Sequence, residues 1–411
     1  MTLAEVPLVL MLVGLTAYAV LGGADFGAAF WQLGGRSEAR REHAYRAMGP
    51  VWEANHVWLI FVLAVCWTAY PEAFASIFST LTIPLFVAAV GIILRGTAYA
   101  VHAGTAREIE RRAIDAAFSL SSILTPFALG TAIGGIASGR VPVGNAEGDL
   151  VTSWVNPTSF AIGVLAVATG AYLAAVYLAG DGARAGHDDL AAAFRTRALA
   201  AGAVAGATAL AGLVVVSLDS EALREGLFSP PALLAVIGSA VAGLGTLELV
   251  RRARFEPARY LASAAVAAIV LGWPLAQRPE LLPGLTVEEA AAGRTVLAAT
   301  VVGVALGAVV VLPSLALLFG LVLSGRFDRE ARRSDVERRR IAEAAPRRRP
   351  LVGVAALALA VGLPLTVVPA GGPVQAVGVV ALLTFLALGS VALGSAAASV
   401  AARDDELESR R

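Results

Sequence analysis

The chain is 411 residues long, 57% hydrophobic and only 15% charged, which is more apolar surface than a soluble fold can hide. Its formal net charge of +1 gives no overall field to draw in nucleic acid or an acidic substrate, so function must be sought in local charge placement. The single cysteine, Cys66, excludes an intrachain disulfide and lies in an apolar stretch, where a small buried hydrophobe is the expected role.

Segments long enough to cross a bilayer as helices, about 20 apolar residues each, fall in chain order at 6–33, 50–70, 77–101, 114–137, 158–179, 198–217, 231–250, 260–276, 296–324, 351–369 and 374–402. These eleven predicted spans make the chain an all-α polytopic membrane protein. Ala17-Tyr18-Ala19 has the look of a cleavage site, yet no basic region precedes it and the apolar run continues past it, so 6–33 is read as a span. Arginine sets the orientation. The first connection holds Arg36, Arg40, Arg41 and Arg46, and every second connection after it is also basic, ending in the run from Arg326 to Arg349 and in Arg403, Arg410 and Arg411. The opposite connections hold only Arg140, Arg224, Arg278 and Arg294. Basic loops stay in the cytoplasm, which predicts the N-terminus outside and the C-terminus inside.

Small-xxx-small pairs at Gly130/Gly134, Gly202/Gly206 and Gly303/Gly307 predict close helix contacts. Trp31, Trp67, Trp154 and Trp273 fall near span ends, where an indole suits the headgroup level.

Ionisable residues inside the first three spans stand apart from this pattern. Asp25 lies in "LGGADFGAAF", Glu53 in "PVWEANHVWLIF" and Arg95 in "GIILRGTAYAVH". The alternating direction of the spans brings all three toward the cytoplasmic half of one three-helix segment. An ionisable group held in hydrocarbon usually faces protein or water and has a partner. A guanidinium favours ionised carboxylates and burial opposes them, a balance that can leave a group able to take and pass protons. The same spacing equally suits a buried ion pair that only fixes helix register. Asn55 and His56 flank Glu53, and Glu53 with His56 matches one Glu-x-x-His element of a di-iron bundle; such a site needs two copies and the chain has one. His56 and His102 are the only intramembrane imidazoles that could ligate a haem, and hydrogen bonding is their default reading. Gly243-Leu244-Gly245 lacks the third glycine and the preceding strand of a dinucleotide loop. No metal site and no catalytic nucleophile is expected.

The order "GGADFG", then "GPVWEANHVWLIF", then "ILRG" resembles subunit II of the cytochrome bd-type quinol oxidases. The resemblance covers about residues 1 to 340 and is densest in the first 105. It implies tandem four-helix bundles plus a peripheral helix, here over 1–140, 141–280 and 281–345, with 346–411 an additional C-terminal two-helix extension. It implies a place in the bacterial cytoplasmic (inner) membrane, among lipid and away from nucleic acid. It also implies a haem-bearing subunit I as partner, which carries haems b and d, oxidises quinol and reduces O2 to water. No cofactor is expected on this chain itself; a structural quinone and a small accessory subunit are left open. Asp25, Glu53 and Arg95 would form a buried polar proton pathway from the cytoplasm, supported by Asn55, His56 and His102. Many relatives have aspartate where Glu53 stands, and Trp58 matches a position near an oxygen route. A secondary transporter, with Glu248 as its second-half charge, and a structural membrane scaffold are the alternatives.

Overall fold

The computed structural model describes residues 2–33, 40–41, 43–44, 52–102, 108–323, 349–367, 373–374, 376–385 and 388; some side chains inside helices, those of Glu53 and His102 among them, lie outside the described residues. Helices α1 (Glu5–Leu33), α2 (Trp52–Ala69), α3 (Pro71–Thr80), α4 (Thr82–His102), α5 (Glu108–Ala137), α6 (Pro157–Arg184), α7 (Asp188–Asp219), α8 (Glu221–Leu227), α9 (Pro230–Arg251) and α10 (Phe255–Gln277) follow in order. A two-stranded antiparallel hairpin, β1 (Glu280–Leu282) and β2 (Leu285–Thr286), leads into α11 (Val287–Ala290) and α12 (Arg294–Leu323). These elements form one compact unit. A second unit contains α13 (Arg349–Val367) and α14 (Ala376–Phe385), which meet where a Cβ on Gly362 would lie 3.0 Å from Leu382.

Among the described residues, seven helices are long and apolar enough to cross a membrane: α1, α5, α6, α7, α9, α10 and α12, of which α5 counts from Ile114 and α12 up to Leu317. In a bilayer a helix satisfies its own backbone groups, which is why apolar runs of this length take that form. Shorter apolar helices, Ala54–Ala69, Gly353–Gly362 and Ala376–Phe385, fall inside the segments predicted as the second, tenth and eleventh spans. The predicted third span differs at its start. Residues 77–80 belong to α3, which meets α4 at 84°. Pro84 has no N–H to offer the carbonyl of Thr80, and the Thr82 hydroxyl bonds the Phe78 and Ser79 carbonyls instead, so the turn cannot continue straight.

Packing centres on α6, which lies against α1, α7 and α10. Where α1 crosses α6, a Cβ on Gly27 would sit 1.9 Å from the Gly170 carbonyl oxygen, and the Trp31 indole donates to the Ala171 carbonyl at 2.9 Å. Trp31 is therefore a helix-to-helix tie and not merely a headgroup anchor. Gly130 and Gly134 take α5 against Gly163 and Ser159 of α6. In the second predicted pair only Gly202 is closely approached, a Cβ there lying 2.5 Å from Leu247 of α9, while Gly206, Gly303 and Gly307 have no described atoms within 4 Å of a built Cβ.

The connections at one end form a built cap. Val65, Ala69, Tyr70, Ala73 and Leu81 share a buried cluster with Val141, Leu282, Leu285 and Val287. Backbone N–H groups of Gly144 and Ala146 donate to the Ser76 and Ser79 hydroxyls of α3 at 2.9 and 2.8 Å. Arg140 forks onto Asp219 with two 2.9 Å bonds, and the Thr158 hydroxyl donates to the same carboxylate at 2.7 Å. In the loop, the backbone N–H groups of Thr152 and Val151 hold the Asp149 carboxyl below its ordinary range.

Candidate functional site: a buried polar cluster

Asp25 lies on α1 and is 6% exposed; Arg95 lies on α4 and is 1% exposed. Asn55, in the second turn of α2, is 2% exposed, and its Nδ2 donates to Oδ2 of Asp25. Two spans are thus tied by an amide-to-carboxylate bond away from water. Arg95 is close enough to Asp25 for their charges to interact. Its guanidinium carbon lies 4.5 Å from the ring centroid of Phe26 and 5.3 Å from that of Phe118 on α5. Aromatic faces carry negative charge density, so the two rings solvate the cation where water is excluded, each contributing about 0.5–2 kcal/mol.

His56 follows Asn55 on α2 and is half-buried. Its ring stands edge-to-face with Tyr18 at 5.9 Å and with Phe26 at 6.1 Å, and Tyr18 meets Phe26 at 6.4 Å. His56, Tyr18 and Phe26 thus form one three-ring packing. Among the described residues no three His, Cys, Asp or Glu side chains converge as a metal site would require. Trp58 is half-buried one turn beyond Asn55. The backbone of Glu53 opens α2 and that of His102 closes α4, but both side chains lie outside the described residues.

The structure therefore joins Asp25, Asn55, Arg95 and His56 in one interior region, and adds three residues that sequence reasoning passed over. Phe26 and Phe118 cradle the guanidinium, and Tyr18 reaches the imidazole. Phe26 stood next to the quoted Asp25, whereas Phe118 carried no signal because an aromatic in an apolar span is ordinary. Polar residues also line α5 near Phe118. Ser121 and Ser122 donate to the Phe118 carbonyl at 2.9 and 2.7 Å, and Thr125 to the Ser121 carbonyl at 2.8 Å. Such back-bonding satisfies hydroxyls inside a helix and makes them tolerable in lipid.

Long apolar helices enclosing an amide, a carboxylate and a guanidinium define a multi-pass membrane protein with a buried polar site. Residues 3–322 match the family model of the cytochrome bd terminal oxidase subunit II, and the chain belongs to that family. Among curated relatives it is 27% identical over 123 residues to the cytochrome bd ubiquinol oxidase subunit 2 of Bacillus subtilis, covering 30% of this chain and 36% of that one. It is 25% identical over 132 residues to the cytochrome bd-I ubiquinol oxidase subunit 2 of Escherichia coli K12, covering 31% and 35%. These alignments thus span about a third of each curated relative. The fold matches a chain of the bd oxidase from Geobacillus thermodenitrificans with a TM-score of 0.66 at 23% identity, over 79% of this chain and 99% of the other.

Proposed function

We propose that this chain is the subunit II of a bacterial cytochrome bd-type quinol oxidase, set in the cytoplasmic membrane beside a haem-bearing subunit I. The haems on that partner supply electron transfer from quinol and the reduction of O2 to water. This chain ligates none of them and feeds protons from the cytoplasm toward the site of O2 reduction. The observation that carries the reading is the Asp25–Asn55 bond buried beside Arg95. A carboxylate held inside the membrane, with an amide and a cation to stabilise it, is an arrangement that proton routes use. Glu53 is the entry group, because it lies at the start of α2 near the basic first connection. Trp58, farther along α2, borders the oxygen route. The eleven-span topology with its C-terminus inside, and the division at 140, 280 and 345, belong to the same reading. A structural quinone and annular lipid are further candidates for the same assembly, with the role of the two C-terminal helices left open.

Glu53→Gln tests this. It keeps shape and removes the titrating group, so quinol-driven oxygen consumption by the co-expressed complex should fall about tenfold or more while haem content stays constant. Glu53→Asp should retain more activity, since the acid survives. Full turnover of Glu53→Gln across the working pH range, at normal haem content, would return the residue to a structural role.

A further inference from the structure

We propose that Tyr18 is a proton-relay and positioning residue, its hydroxyl linked through one water to the Asp25–Asn55 pair. The inference rests on the proton-delivery reading above and adds a residue to it.

The backbone points to Tyr18 first. Residues Tyr18–Gly22 form a π turn inside α1, closed by the Gly23 N–H donating to the Tyr18 carbonyl. A π turn is a rare single-turn interruption of an α-helix that is frequently found at functional sites. In an uninterrupted α-helix, residues seven apart such as Tyr18 and Asp25 would stack along one line. The wider turn moves Tyr18 off that line and sets its ring edge-on to His56 and Phe26. Gly22 makes room for it: a Cβ there would lie 3.1 Å from the Tyr18 ring.

The second observation is polar. Tyr18 is 6% exposed and its hydroxyl has no hydrogen-bond partner among the described residues. Oδ1 of Asn55, on the helix that the π turn contacts, is likewise buried and without a partner. Native interiors rarely leave such atoms unsatisfied, and a bridging water needs two or more polar partners. A hydroxyl and an amide oxygen supply a donor and an acceptor for it, beside the carboxylate that Asn55 already holds. Asp25 and Arg95 both act on Tyr18 electrostatically, and among the described residues the titratable His56 packs against its ring. In the relay, the Asp25 carboxyl gives its proton to the water, the water gives another of its protons to the Tyr18 oxygen, and the proton released from the Tyr18 hydroxyl passes to a second water on the side away from Asn55. Each O–H bond formed matches one broken, and no electron moves.

Tyr18→Phe in the co-expressed oxidase keeps the ring packing and removes only the hydroxyl. Haem content should be unchanged, turnover per haem should fall roughly tenfold, and the solvent deuterium isotope effect on turnover should rise. Gly22→Ala, which displaces the ring and keeps the hydroxyl, should slow the same step less. Wild-type turnover per haem and isotope effect in both variants would overturn the relay, as would a lower haem content with turnover per haem intact. Slow Glu53→Gln alongside unaffected Tyr18→Phe sinks the relay alone; two unaffected variants sink the proton-delivery reading with it.

Discussion

At the scale of single residues, the cluster shows how a membrane interior tolerates charge. Arg95 is among the largest side chains buried almost completely, and its cation lies between two aromatic rings with a carboxylate within electrostatic reach. Removing one member of such a set strands the other in a medium that cannot solvate it, a loss of about 3–5 kcal/mol. Arg95→Ala and Asp25→Ala should therefore lower the yield of assembled, haem-containing complex severely. Asp25→Asn, which still accepts from Asn55, should assemble closer to normal yet lose turnover. Normal yields for both alanine variants, measured by haem per membrane protein, would show that the charges do not support one another. The ionisable members of this set were legible from sequence because a charge in an apolar span is conspicuous. The aromatic members were not, because hydropathy counts Phe26 and Phe118 as ordinary membrane residues. The contact that matters there is the geometry between a ring face and a cation.

At the scale of elements, length and hydropathy located the crossing helices, while breaks within them escaped. The π turn at Tyr18–Gly22 and the 84° corner between α3 and α4 both lie in runs whose mean hydropathy still reads as a single span. Only Pro84, placed to withdraw a backbone donor, hinted at the corner. Glycine spacing was similarly ambiguous. A very tight crossing uses Gly27 against Gly170, which are not part of any predicted pair, whereas Gly303 and Gly307 meet no described atoms on α12. A spacing rule reports that a close approach is feasible, and only the partner helix decides whether it occurs. Gly27→Ala should push α1 off α6, because its methyl meets backbone and not a flexible side-chain end. A sharp drop in the detergent melting temperature of the chain is expected. Gly303→Ala should leave that temperature unchanged. Equal melting temperatures for wild type and Gly27→Ala would mean that the crossing has slack.

At the scale of the whole molecule, the polar interior and the family assignment lead to a division of labour between this chain and the haem-bearing subunit proposed as its partner. A haem needs an axial ligand and an open slot for a flat macrocycle. The His56 ring packs at steep angles against Tyr18 and Phe26. Asp25, Asn55 and Arg95 lie buried in the same interior region, a polar lining and not an apolar slot. The carboxylate, amide and cation gathered here are the chemistry on which the proposed proton route rests. Expressed without its partner, the purified chain should accordingly give no stoichiometric haem bands in a reduced-minus-oxidised spectrum, and co-expression with subunit I should bring haem and quinol oxidase activity together. His56→Ala and His102→Ala supply the decisive comparison. A stoichiometric haem signal in the isolated chain that disappears in either variant would place an axial ligand in this subunit, and the cluster would then have to be understood as the wall of a cofactor site.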